Sequence, residues 1–230
     1  VDESMGILGA VTLISTPDVQ IQDLFGKPLV NVKDLSDASF VMEATLVNRA
    51  SKPVNGIFKA EYEGGSIEIP VEMAAGETKV VSHTEKVANP RIWWSAEMGS
   101  PELYHLHAAY SVGKKVSHSK DVVFGLRDIR SELEDGKYRR FILNGRRVLI
   151  KSAGWTDDIF MQDTRESLRK QALLVKDMGL NSIRFENIWG KDDTIYNLCD
   201  ELGLLVMDVF TDVWNIGKNP YDYHLFFQIS

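Results

Sequence analysis

The sequence contains little of what a disulfide-stabilised or membrane-spanning protein needs. Its 230 residues include one cysteine, Cys199, so no disulfide can form within the chain. Cys199 falls in a helical pattern of apolar residues, which indicates a buried structural thiol rather than a nucleophile. No apolar run approaches the roughly 18 residues of a membrane-spanning helix, and no signal-peptide pattern begins the chain. Because Val1 resembles a cut edge, we favour a periplasmic or secreted location for a longer parent protein.

Positive charge is also scarce and dispersed. The chain has 26 Lys and Arg against 33 Asp and Glu, a net charge of −7, and its basic residues are scattered singly. Nucleic acids and anionic membranes are bound by clusters of basic side chains, so we expect neither as a partner. With 44% hydrophobic residues the chain can bury sizeable cores, which predicts a soluble globular protein.

The first part of the chain alternates apolar and polar residues, which is typical of β-strands. In SFVMEATL, residues 39–46, every second side chain is apolar. Gly64-Gly65 and Gly113-Lys114 each separate two such runs, as in β-hairpins. Strands about ten residues apart with no helical stretch between them predict an immunoglobulin-like antiparallel β-sandwich over residues 15–132.

After residue 140 the pattern changes to strand, helix, strand, helix, strand. RVLIKS, residues 147–152, predicts the first strand, and Asp163 with Glu166 predicts the start of the first helix. The segments KDMGLNSIRF and DELGLLVMDV, which begin 24 positions apart, both place Gly-Leu between a helix and a strand. Such repeated βα units pack as neighbouring parallel strands.

Polar and aromatic residues follow each of the three predicted parallel strands, at the edge where α/β folds bind ligands. The candidates are Trp155, Asp157 and Asp158 after the first strand, Arg184, Glu186 and Trp189 after the second, and Asp208, Asp212 and Trp214 after the third. Carboxylates accept hydrogen bonds from hydroxyls and indoles stack on pyranose faces, so this set predicts a sugar or oligosaccharide ligand.

Other ligand classes have weaker support in the sequence. SAGW after the first strand lacks the glycine spacing of a dinucleotide site, so we expect no cofactor. His105 and His107 alternate on one strand, but no third ligand is near them in sequence, which favours a solvated face over a metal site. Trp93 and Trp94 are interpreted as packing residues at the sandwich edge.

Several motifs resemble glycoside hydrolase family 2, and within it the exo-β-glucosaminidases. The likeness is carried by NPRIWWSAEMGSPELYHL, VFGLRDI, FILNGRRVLIKSAGW and KDMGLNSIRFE, in that order. GWTDDIF contains Trp155 and Asp158, and SIRFE contains Arg184 and Glu186, which match the motifs that follow barrel strands one and two in this subgroup.

The resemblance implies a β plus α/β multidomain chain: an exit segment from a missing N-terminal sugar-binding domain (1–14), the sandwich (15–132), and the first three βα units of a truncated (β/α)8 TIM barrel (133–230). The family uses one Glu as acid/base and another as nucleophile, but no Asn-Glu pair occurs here, so no catalytic residue is assigned in this chain. The implied partners are a glycan substrate, the missing N-terminal and C-terminal domains and, for the incomplete barrel, a second copy. The chain alone is expected to be inactive.

The same resemblance implies roles for individual residues. Arg184 matches the arginine that orients the nucleophile, and Asp158 and Glu186 match polar contacts to the terminal sugar, Glu186 as partner of a sugar amine. Trp155, Asp208 and Trp214 complete the candidate substrate-binding set. Two alternatives stay open. Gly154 occupies the position where β-mannosidases usually have Asn, which keeps mannose as second choice, and a non-catalytic sandwich scaffold or carbohydrate-interaction module remains a separate class.

Overall fold

The computed structural model describes residues 11–158, 160, 162–187 and 192–208. They belong to two compact units. One comprises Leu13–Trp93 and Glu102–Val148, and the other contains Trp94–Pro101 and the described residues from Leu149 onward. Over these described stretches the chain is mostly β with few helices, and none of those helices is long and apolar enough to cross a membrane.

The first unit contains a β-sandwich in which every strand pairing is antiparallel. One sheet has the order β1-β2-β5 and the other the order β4-β3-β6-β7. The strands are β1 (Val19–Val30), β2 (Ala38–Asn48), β3 (Val54–Tyr62), β4 (Gly65–Met73), β5 (Thr78–Val87), β6 (Tyr104–Val112) and β7 (Lys115–Phe124). The predicted sandwich is therefore present in the structure.

The alternation seen in the sequence explains the sandwich core. Phe40, Met42 and Ala44 on β2 have no solvent exposure, because every second residue of a strand faces the same side. The two predicted hairpins are confirmed by their registers: Tyr62 pairs with Gly65, and Val112 pairs with Lys115.

Side chains, rather than backbone pairing, join β1 to β7 at an edge of the two sheets. The Ser117 hydroxyl accepts a hydrogen bond from the Val19 N–H (2.8 Å) and donates one to the Val19 carbonyl (2.9 Å). One residue further on, Nδ1 of His118 accepts the N–H of Ile21 at 3.3 Å. Burial lowers the pKa of His118, and the nearby Lys120 ammonium adds to this shift.

The first unit ends in a small antiparallel sheet that the sequence pattern does not predict. Its order is β10-β9-β8, and its strands are β8 (Ile129–Glu134), β9 (Tyr138–Leu143) and β10 (Arg146–Val148). The predicted strand over residues 147–152 is therefore wrong, because its first residues belong to β10 and pair antiparallel with the preceding strand β9. The cause is the turn Asn144-Gly145, where both residues have positive φ (48° and 78°), as two-residue hairpin turns require.

The segment beside this small sheet is held by packing around Trp93. Trp93 has no solvent exposure, and the guanidinium of Arg127 lies over its ring at 4.4 Å. The Asn144 side chain donates to the Trp93 carbonyl at 2.8 Å. The interpretation of Trp93 as a packing residue is thus confirmed.

The second unit contains a parallel sheet with the order β11-β12-β13 and a helix after each of the first two strands. The elements are β11 (Ser152–Thr156), α1 (Arg165–Asp177), β12 (Ser182–Asn187), α2 (Thr194–Leu202) and β13 (Leu205–Asp208). SAGWT thus forms the first parallel strand itself instead of following it. The three predicted parallel strands and their two helices are otherwise present.

The helix ends show which local signals were interpreted correctly. The N-cap of α1 is Thr164, whose side chain forms a capping box with Ser167, so the predicted start at Asp163 was one residue early. Gly179 and Gly203 follow α1 and α2 with φ of +73° and +72°, as the repeated Gly-Leu motif predicts. Glycine is favoured at these positions because it has no Cβ, which in other residues makes the left-handed conformation unfavourable.

The two helices cover one face of the parallel sheet. Ile183 and Phe185 of β12 are buried in one apolar cluster with Leu168 of α1 and Leu198 of α2. Cys199 lies in the same cluster with no solvent exposure, and burial raises the pKa of its thiol to about 12. This confirms that Cys199 is a structural thiol.

Candidate functional site at the ends of the parallel strands

The parallel register brings the predicted site positions into neighbouring rows. Gly154, Arg184 and Met207 form one row across β11, β12 and β13. Trp155, Phe185 and Asp208 form the next row towards the carboxyl ends of the strands. The positions chosen from the sequence therefore lie at one end of one sheet, where the loops of α/β folds carry ligand sites.

Arg184 lies on the face of the sheet opposite the helices. Its neighbours Ile183 and Phe185 are buried against α1 and α2, and successive side chains of a strand point to opposite faces. Arg184 is exposed on that other face. In a closed barrel this would be the inner face, which suits a residue that orients a catalytic carboxylate; that role stays a prediction.

Trp155 lies on the helix side, away from Arg184. Its ring packs edge-on against Phe185 with centroids 5.3 Å apart, and it contacts the apolar cluster under the helices. Its indole N–H donates to Oε1 of Gln171 in α1 at 2.8 Å. This is the environment of a core aromatic, so the structure does not bring Trp155 and Arg184 together, and a contact of Trp155 with substrate stays a prediction.

Asp158 is half-buried in the loop that follows β11. Its Oδ2 accepts the backbone N–H of Gln162 at 3.0 Å. Its own backbone N–H points to Oδ2 of Asp163 at 3.4 Å. The carboxyl group is thus held by the loop, and its contact with a sugar stays a prediction.

Sequence reasoning missed two polar residues that organise this loop. Asp163 was interpreted only as a helix start, but its carboxylate accepts hydrogen bonds from Ser167 (2.9 Å) and Gln171 (3.1 Å). Gln171 carries no signal in the sequence, because a glutamine on a helix is usually solvated. Both residues connect the candidate site to α1.

The remaining candidates are described only in part. Glu186 belongs to β12 and Asp208 ends β13, and their backbone positions follow from the strand register. Their side chains lie outside the described part of the structure, as do Trp189, Asp212 and Trp214.

A second polar cluster lies at the opposite, amino-terminal end of the parallel strands. The buried Asn181 side chain donates to the Leu149 carbonyl (2.8 Å) and to Glu97 (3.1 Å), and accepts the N–H of Lys151 (2.8 Å). Lys151 also forms an ion pair with Glu97. The partners of the Asn181 side chain are two backbone groups and the carboxylate of Glu97, which is itself paired with Lys151. We therefore interpret this cluster as a structural clamp.

Within the described residues, no group of three or more His, Cys, Asp or Glu side chains could hold a metal ion. His107 pairs with Asp121, its Nδ1 lying 2.7 Å from the carboxylate on an exposed strand face.

Comparison with known proteins gives a family match for the sandwich and individual relatives for a larger part of the chain. Residues 19–127 match the model of the glycosyl hydrolases family 2. The resemblance indicated by the sequence motifs is therefore confirmed for the sandwich.

Individual relatives extend the match beyond the sandwich. The exo-beta-D-glucosaminidase of Streptomyces avermitilis is 30% identical over 212 residues, covering 90% of this chain and 23% of the relative. Beta-mannosidase B of Aspergillus oryzae is 31% identical over 162 residues, covering 66% of this chain and 19% of the relative. The crystal structure of the Amycolatopsis orientalis exo-chitosanase CsxA has a TM-score of 0.80 at 27% identity, covering 84% of this chain and 23% of that one. The chain spans about a fifth of the length of the curated relatives it matches.

Proposed function

We propose that this chain is part of a retaining, exo-acting family 2 glycoside hydrolase that removes terminal β-linked glucosamine from oligosaccharides. The observation that carries the proposal is how much of the chain aligns with exo-β-D-glucosaminidases. It covers 90% of the chain, and therefore includes the parallel unit with Asp158 and Arg184 as well as the sandwich. In this proposal β11, β12 and β13 are the first three strands of a (β/α)8 barrel.

Each named residue has a distinct task in this reaction. A retaining glycosidase places two carboxyl groups about 5 Å apart, one as nucleophile and one as acid/base. We assign both to later parts of the parent protein, because this sequence contains no Asn-Glu pair. The guanidinium of Arg184 hydrogen-bonds the nucleophile and keeps it ionised, since an adjacent positive charge favours the charged form of a carboxyl group.

The sugar itself is met by acidic residues. Asp158 accepts a hydroxyl hydrogen bond from the terminal sugar, and Glu186 pairs with its ammonium group. A charge-assisted hydrogen bond contributes about 1.5–3 kcal/mol, which corresponds to roughly a ten- to hundredfold preference for the amino sugar over its hydroxyl analogue. Glu186 is therefore the residue on which the choice of glucosamine depends.

Kinetics of the parent enzyme on aryl β-glucosaminide, β-glucoside and β-mannoside test these assignments. Glu186→Gln should lower kcat/KM for the glucosaminide roughly ten- to hundredfold more than for the other two. Arg184→Ala should lower all three alike, because it acts through the nucleophile. Lys114→Gln, a charge removal in an exposed sandwich turn, is the matched control. An unchanged preference in Glu186→Gln would remove glucosamine as the proposed substrate.

The stereochemistry and the requirement for the rest of the parent are tested separately. Proton NMR of the first product should show the β anomer, as a retaining mechanism requires. The 230-residue chain alone should release no aryl alcohol above a heat-treated control. Turnover by this chain would show that its own residues supply the catalytic carboxyls.

A β-mannosidase is the second candidate, and the 31% identity to a beta-mannosidase B over 66% of the chain favours it. The same kinetic series separates the two. A parent enzyme with a higher kcat/KM on the β-mannoside than on the β-glucosaminide would make mannose the substrate and leave the family assignment unchanged.

A further inference from the structure

One hydrogen-bonded chain links the first parallel strand to the loop that carries Asp158. The indole N–H of Trp155 donates to Oε1 of Gln171 (2.8 Å), and Nε2 of Gln171 donates to Oδ1 of Asp163 (3.1 Å). An indole nitrogen is a donor only and an ionised carboxylate an acceptor only, so this order fixes the orientation of the amide. Both ends of the Gln171 amide are used.

Asp163 is also hydrogen-bonded to the start of α1 and to the loop residue Asp158. Its Oδ1 also accepts from the Ser167 hydroxyl at 2.9 Å, which ties the carboxylate to the first turn of α1. Its Oδ2 faces the backbone N–H of Asp158 at 3.4 Å. Oδ2 of Asp158 in turn accepts the backbone N–H of Gln162.

We infer that Gln171 and Asp163 are positioning residues that hold the Asp158 loop against α1 and so fix the place of the Asp158 carboxylate. The inference rests on the proposed function only in taking Asp158 as a sugar contact. Gln171 suits this task because a neutral amide accepts from the indole and donates to the carboxylate at the same time. A leucine of similar size can do neither, and an ionised glutamate can only accept.

The first test is independent of any enzyme activity. In a 15N-labelled chain the indole N–H signal of Trp155, identified by its loss in Trp155→Phe, should move and exchange about tenfold faster in Gln171→Leu. The backbone amides of Asp158 and Gln162 should shift with it. Arg169→Gln, an exposed change on the same helix, is the control. Unchanged Asp158 and Gln162 amides in Gln171→Leu would overturn the inference.

Gln171→Glu should give a pH-dependent shift of the Asp158 amide signal, which general damage to the fold would not produce. At pH 7 the new carboxylate faces the carboxylate of Asp163, and like charges repel, so the Asp158 amide should shift as in Gln171→Leu. Near pH 5 a proton shared by the two carboxyls restores a donor, and the wild-type signals should return. An Asp158 amide that stays displaced at both pH values would contradict the proposed role of the donor.

The parent enzyme then tests whether positioning matters for catalysis. Gln171→Leu should lower kcat/KM about five- to tenfold, but should have no further effect when Asp158 is already changed to Asn. A full effect in the Asp158→Asn background would show that Gln171 acts elsewhere and would overturn the inference. A wild-type parent that does not cleave β-glucosaminides would defeat the proposed substrate while the NMR result still decides the role of Gln171.

Discussion

Replacing Gly203 by alanine should destabilise the parallel unit through two separate effects. Gly203 ends α2 with φ of +72°, a conformation that costs an L-residue about 1–2 kcal/mol. In addition, a Cβ on Gly203 would lie 2.7 Å from the backbone nitrogen of Ala96 and 3.2 Å from the Trp94 carbonyl oxygen. The Ala96 N–H donates to the Gly203 carbonyl at 2.9 Å, so neither backbone can move without disturbing this bond.

Gly179 provides a control with the same backbone and no clash. Its φ is +73°, and a Cβ built there meets nothing within 4 Å. Gly179→Ala should therefore cost only about 1–2 kcal/mol for the left-handed backbone. Gly203→Ala adds about 1–3 kcal/mol of steric strain, giving roughly 2–5 kcal/mol in total.

Urea denaturation of both variants, followed by circular dichroism, measures these free energies of unfolding. A third and a fourth variant, Gly179→Asn and Gly203→Asn, separate the effects further, because asparagine tolerates the left-handed conformation. Gly179→Asn should be close to wild type, whereas Gly203→Asn should remain strongly destabilised. Equal losses for Gly179→Ala and Gly203→Ala would refute the close approach to Ala96.

Other predictions concern single groups that are buried or half-buried. Because burial lowers the pKa of His118, the unfolded chain binds the proton more readily, so the contribution of His118 to stability is full above about pH 6.5 and is lost as the pH falls below it. The variant His118→Asn keeps an acceptor for the N–H of Ile21 and should remove this part of the pH dependence of the unfolding free energy, measured by urea titration. With the pKa of Cys199 raised to about 12, iodoacetamide at pH 8.5 should label the folded protein only through unfolding, and a labelling rate unchanged by urea would contradict its burial. Asn181→Ala leaves the Lys151 N–H and the Leu149 carbonyl without their partner and should cost about 2–4 kcal/mol by the same assay, whereas a loss below 1 kcal/mol would show that the clamp is not structural.

The sequence predicted those parts of the fold whose signals are local and repeated. The alternation around Phe40 and Met42 identifies a buried strand face, and the Gly-Leu motif after each helix identifies its end. The small sheet β8–β10 was missed although Asn144-Gly145 is a strong hairpin signal. The strand that follows this turn, β10, has only three residues, two of them Arg146 and Arg147, so it is too short to show alternation of apolar and polar residues.

For the candidate site, the sequence could supply positions but not directions. The motif SIRFE places Arg184 on β12, and the period of two then puts it opposite Phe185. Trp155 was chosen because indoles stack on sugars, yet it precedes the loop and belongs to the strand, where its side chain joins the helix-side cluster. Because the strand comprises residues 152–156 rather than 147–152, Trp155 lies on the helix-covered face of the sheet instead of in the loop.

The Gln171 amide shows why such a residue escapes detection in a single sequence. Its two hydrogen bonds reach 16 residues back to Trp155 and 8 residues back to Asp163, and neither spacing belongs to a local motif. The bond to Trp155 exists only because the parallel crossover returns α1 over β11, so it is a property of the folded βα unit. It follows that a helix position that looks solvated can decide where a loop carboxylate lies. Comparing Gln171→Leu with Gln171→Glu at two pH values distinguishes that task from ordinary helix packing, since only the paired carboxyls of the second variant respond to a proton.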